Sequence, residues 1–315
     1  MPLACFPPCP TNARPAAPDF PRWRDRRSLS PWANIPFLLP EPLQSRRMIA
    51  KSYLAHTLSC VCLMMGTPFQ GSSPLSAIFP HSVLDRAEAF LASQPIRGGG
   101  TLLDASGAVL YSDVMTLVPG PVYFLGLNPG GSPDNNRDGT IRHSLAASRS
   151  GINAFLDQSW GDPPRNSPSG EAPLQRRIRK LLAMMGLETR QVAASNLVFT
   201  RSRNLRLHMN FENAIAQCRP VHEFFIDSIQ PELILTHGNR DTFRQGIGAH
   251  FTENHEAHHA GWKIHLGTCA IAGRTIPVMN MPHLSFWAIN AETPKAERRR
   301  AILRTLFKEY GFSPQ

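Results

Sequence analysis

The sequence predicts an α/β domain: a three-layer α/β/α sandwich built around a short, mainly parallel central sheet. Two observations lead there. Four short runs, at residues 121–127, 192–199, 233–236 and 275–279, are apolar almost throughout, and amphipathic segments at 173–185, 211–229, 240–247 and 294–309 alternate with them. Strands apolar on both faces belong in the middle of a parallel sheet, where right-handed crossovers lay helices on either side. A third observation concerns the surroundings. No apolar run reaches the length needed to span a bilayer, so the expectation is a soluble, cytoplasmic protein.

The elements follow in chain order. Residues 1–47 hold 11 of the 29 prolines together with seven arginines and show no sustained periodicity, the composition of a chain that does not fold. Residues 1–75 are therefore read as an extension, and 76–315 as the folded domain. Ser45-Arg46-Arg47-Met48-Ile49-Ala50-Lys51 resembles a twin-arginine export motif, but His56, Thr57 and Ser59 interrupt the apolar stretch behind it. Ser82 is the expected N-cap of a first helix, with apolar residues at helical spacing after it. Residues 249–273, rich in His and Gly, read as an inserted hairpin or loop. Its histidines, His250, His255, His258, His259 and His265, lack a spacing that fixes two ligands on one face, so no metal is expected. The six cysteines form no pair of metal-ligand spacings either, and Cys218 and Cys269 fall in apolar segments as buried, reduced thiols.

A formal net charge of +10 makes a polyanion the first partner to consider. Lys295, Arg298, Arg299, Arg300, Arg304 and Lys308 on the last helix have the spacing of a solvated face. Arg201, Arg203, Arg206 and His208 follow the second strand, at an edge that suits phosphate contacts or equally a solvated loop.

Chemistry is expected where the strands end, since open parallel sheets bind ligands at their carboxyl edge. The first strand runs into Gly126-Leu127-Asn128-Pro129-Gly130-Gly131, a sequence that also makes an ordinary turn. The second carries Asn196 among apolar residues, where a buried amide needs either backbone partners or a ligand. The last delivers Pro282-His283-Leu284-Ser285-Phe286-Trp287.

Gly-x-Asn-Pro-Gly, a strand-borne Asn before an apolar run, and a late His-x-Ser loop together resemble the uracil-DNA glycosylase superfamily. The resemblance covers about residues 120–290, includes Pro231-Glu-Leu-Ile-Leu-Thr-His-Gly238 as the third strand, and is nearest in its first motif to mismatch-specific and single-strand-selective members. It implies a monomeric hydrolase without a cofactor, removing uracil or another damaged base from DNA in base-excision repair. Asn128 would hold the attacking water and His283 would stabilise the leaving base. Gly126, Leu127, Pro129, Gly130 and Asn196 would line the base pocket, and Asn128, Asn196 and His283 would surround one cavity. Ser285, Arg201 and Arg203 would meet the DNA, and Trp287, four residues after His283, would wedge into the duplex.

The chain departs from that pattern in two places. Leu284 stands where the family's late loop usually has proline, and Ile141 and His143 stand where its base-stacking aromatic falls, Phe155 reading instead as core in a helix-like segment. These departures keep an alternative open, a nucleic-acid-binding relative that has lost base excision.

Overall fold

The computed structural model describes residues 79–132, 139–161, 164, 166–208 and 210–313. The extension expected over residues 1–75 and the twin-arginine-like segment lie outside the described residues.

Among these residues six strands form one sheet: β1 (Val122–Gly126), β2 (Ala193–Asn196), β3 (Leu233–His237), β4 (Ala249–Glu256), β5 (Lys263–Ile271) and β6 (Arg274–Met281). Their order is β2-β1-β3-β6-β5-β4. The first four in that order pair in parallel, and β5 and β4 pair antiparallel. The sheet is thus mixed, not mainly parallel as the sequence led us to expect. The cause is local. At the β5–β6 turn Ala272 and Gly273 both have positive φ, 51° and 69°, the backbone of a two-residue hairpin that returns the chain directly beside itself. The segment expected to be an insertion therefore extends the sheet.

Among the described residues six helices accompany the strands: α1 (Pro80–Ala92), α2 (Ile141–Arg149), α3 (Pro173–Met184), α4 (Phe211–Ile229), α5 (Arg240–Ile247) and α6 (Pro294–Glu309). Alternate residues of β1 explain the layering. Tyr123 and Leu125 enter a core with Leu84 and Leu91 of α1, Leu145 of α2, Phe225 of α4 and Phe243 of α5. Val122 and Phe124 enter another with Leu181 of α3 and Leu306 and Phe307 of α6. Burying each such side chain contributes roughly 1.5–3 kcal/mol, so both faces of the sheet must be covered.

Several local expectations are corrected. The first helix begins at Pro80, and Ser82 lies inside its first turn, donating its hydroxyl to the Phe79 carbonyl at 2.7 Å. Helix α2 had no counterpart in the sequence reading. Its Thr140 cap accepts from the His143 amide, and a narrow stripe of Ile141, Leu145 and Ser148 is all that it buries. Phe155 is core, but in a turn and not a helix. Arg299 and Arg300 are not on a solvated face: each is 5% exposed. Cys218 and Cys269 are buried free thiols, and burial pushes both up to about 12. Among the described residues no helix is long and apolar enough to cross a membrane.

Candidate functional site

The four parallel strands end at one level. Gly126 pairs with Asn196, Leu125 with Thr236, and His237 with Met281, so Asn196, Gly126, His237 and Met281 form a row across the carboxyl edge of β2, β1, β3 and β6. Gly126 matters because it has no side chain. A Cβ there would sit 2.1 Å from Asn196 Oδ1 and 3.4 Å from His237 Nε2, so the amide and the imidazole converge on the space that glycine leaves.

Asn196 is 8% exposed and His237 4%. Neither side chain has a hydrogen-bond partner among the described residues, and His237 Nδ1 is fully buried. The His237 ring stacks on Phe124 at 5.3 Å and meets His283 edge-on at 4.8 Å. Burial, and then the neighbouring His283, holds the His237 pKa well below the usual histidine range.

Two loops leaving this edge are stitched together. Leu197 and Val198 amides donate to the Gly126 and Leu127 carbonyls, and the Ser202 amide donates to Pro129 O. Asn128 Nδ2 donates to Pro129 O, Ser202 O and Ser202 Oγ at 2.8, 3.1 and 3.0 Å. This network assigns the amide orientation and leaves the acceptor Oδ1 as the side chain's other polar atom. Arg201 donates from Nη1 to Gly130 O and from Nε to Ser106 Oγ, so it secures this loop; Arg203 is exposed. Pro129 is buried, Gly130 is exposed, and Leu127 packs beneath Gly238. At Gly238 the φ of 120° and the approach of Leu127 Cδ1, 2.8 Å from where a Cβ would lie, both require glycine.

The third loop presents His283. Its Nδ1 accepts from the Ser285 amide at 3.1 Å, which places the proton of the neutral ring on Nε2, and burial lowers its pKa, favouring that neutral form. The loop is held from several sides. Arg177 of α3 donates to the Leu284 and Ser285 carbonyls, Arg299 to Ala288 O, and Arg300 to Ile289 O and Ala291 O. Leu284, in the place of the expected proline, is fully buried.

Trp287 does not reach the surface. It is 0% exposed and donates Nε1–H to Ala257 O at 2.8 Å, so it has no face to offer a duplex. The amides of Phe286 and Trp287 both donate to His283 O, and this tight turn sends Leu284 and Trp287 inward and Ser285 and Phe286 outward. Phe286 is 67% exposed, with its ring 5.8 Å from that of His283.

The structure thus brings Asn196 and His283 to one edge through Gly126 and His237, with Asn128 on the adjoining loop. Two surface depressions, one lined by Asp241, Arg244 and His250 and the other by His258, Lys295 and Arg298, have none of these residues in their walls. Sequence reasoning missed His237, Ser202, Arg177 and Phe286. Only His237 carried a visible signal, a polar residue closing an apolar strand directly before glycine. Neither protein-family models nor curated proteins yield a match to this chain.

Proposed function

We propose that the chain is a DNA glycosylase of the uracil-DNA glycosylase type, acting in the cytoplasm as a monomer without a cofactor to remove uracil or another damaged base. The observation that carries this reading is the amide of Asn196, which has no hydrogen-bond partner among the described residues, in a residue 8% exposed between the loops that bear Asn128 and His283. An amide has both a donor and an acceptor for a heterocycle's edge.

The chemistry follows from the groups present. Asn128 Oδ1 accepts a hydrogen bond from a water and holds it for attack on the anomeric carbon, replacing a bimolecular encounter with a positioned one. As the bond to the base breaks, its electron pair passes to the base. The neutral His283 donates from Nε2 to the oxygen where that charge collects. Water supplies the hydroxyl to the sugar and a proton to the base. A target base must leave the stack to enter such a site, and Phe286, not Trp287, is the exposed aromatic beside His283 that fills the gap. Arg203 lies exposed on the loop after Asn196, suited to a phosphate.

The test is incubation of the full chain with oligonucleotides carrying uracil, hypoxanthine, xanthine or ethenocytosine, followed by detection of abasic sites. Excision of at least one lesion, lost in Asn128→Ala, is expected. If no lesion is processed, the enzymatic reading is wrong. One observation favours a non-catalytic DNA-binding relative: Ile141, at the place of the family's stacking aromatic, is wholly buried in the core. That reading predicts salt-dependent DNA binding with no lesion preference.

A further inference from the structure

We propose that His237 determines specificity in the base pocket, donating from Nε2 to a carbonyl oxygen of the extruded base opposite the amide of Asn196. This rests on the glycosylase reading and adds to it a second imidazole and a substrate class, bases that bear a keto group.

Position is the first support. His237 closes β3 beside Gly126 and is separated from Asn196 by the one residue of the row that has no side chain. Both polar groups approach the position of the missing Cβ, at 2.1 Å for Asn196 Oδ1 and 3.4 Å for His237 Nε2. Orientation is the second. Phe124 stacks on the imidazole with an interplanar angle of 20°, and His283 packs against it at 69°, so two rings set the plane in which Nε2 points.

Cost is the third. Nδ1 is buried with no partner among the described residues, and an apolar ring on Phe124 would avoid that penalty if packing were the sole task. An orphaned buried N–H is rarer than an orphaned acceptor, which places the hydrogen on Nε2, the nitrogen nearer Gly126. Two neutral imidazoles, His237 and His283, then each present an Nε2–H near one base. A keto oxygen accepts from such donors, whereas adenine has no keto group and its exocyclic amino group only donates.

The experiment uses the full, ¹⁵N-labelled chain and free uracil, hypoxanthine and adenine as probes. Uracil or hypoxanthine should move the His237 imidazole nitrogen resonances, and adenine, which has no keto group, should leave them in place. In His237→Phe, which keeps the ring on Phe124, keto-base affinity should fall about tenfold and the excision rates of keto lesions should fall unequally. His237→Gln, which restores a donor, should recover part of the loss. If Asn196 and His283 signals respond while His237 does not, His237 is outside the pocket and the glycosylase reading survives. A uniform loss across all lesions in His237→Phe, with no recovery in His237→Gln, marks a structural role and also overturns the proposal. If no probe moves any of the three residues and no lesion is excised, the glycosylase reading falls with it. Should His237→Phe fail to fold, the titration of the wild-type chain decides.

Discussion

In the parallel half of the sheet, His237 and His283 sit at strand ends with their rings in contact, one buried and one half-buried, beside an amide that has no partner among the described residues. In the antiparallel half, five histidines on and around the β4–β5 hairpin are dispersed: His250 is exposed, His255 and His265 are half-buried on strands that zigzag, and His258 and His259 lie in the connecting turn. Among the described residues no group of three His, Cys, Asp or Glu side chains is placed to hold a metal. Parallel strands bring residues distant in sequence to one edge, while a hairpin spreads neighbouring residues over both faces. Where a histidine stands in the topology counts for more than how many stand together in the chain.

Four measurements would break or sharpen this contrast. The largest effect is expected at the seam between the halves, where Trp287 of the His283 loop hydrogen-bonds Ala257 beyond β4. Trp287→Ala should cost about 3–5 kcal/mol in chemical denaturation, since it empties a filled core. A value near zero would mean that the loop is not anchored there.

Acid should come next. Burial lowers His222 of α4 to about 4, with Tyr123 O–H donating to its Nδ1 and Leu197 O accepting from its Nε2. Its unfolded value is about 6.5. The unfolded chain thus binds the proton first, and stability present above 6.5 is lost as the pH falls towards 4, on the order of 3 kcal/mol from this residue. His237 and His283, also lowered, act in the same direction. A denaturant midpoint that stays constant from pH 7 to 4 would contradict the burial of these rings.

Gly126→Ala tests the edge itself. A methyl placed 2.1 Å from Asn196 Oδ1 must displace the amide, and a displacement of about 1 Å is enough to lower single-turnover excision about a hundredfold. Excision at the wild-type rate would show that the amide is not used. The smallest effect is expected in the hairpin: His250→Ala should change stability by less than about 0.5 kcal/mol, and added zinc should leave Tm unchanged. A zinc-dependent rise in Tm would reveal a site that the described residues do not form.

Four of the strands and five of the helices were legible because burial on both faces leaves continuous apolar runs, and amphipathic helices repeat on a short local period. Asn128, Asn196 and His283 were legible for a related reason, as polar residues where such runs stop. What escaped depends on partners far away in the chain. Arg299 and Arg300 read as solvated charges, because nothing near them in sequence shows that the carbonyls of Ala288, Ile289 and Ala291 need donors. Counting four residues from His283 selected Trp287, but the turn closed on His283 O rotates the neighbouring Phe286 outward instead. The β5–β6 pairing was hidden by the likeness of a His- and Gly-rich stretch to a loop.

The guanidinium clamp on the His283 loop has a practical consequence. Arginine keeps its charge across the whole range in which enzymes are assayed, so the bonds from Arg177, Arg299 and Arg300 persist while the imidazoles titrate. A turnover profile recorded from neutral into acid then follows protonation of the rings while the arginines of the clamp stay charged.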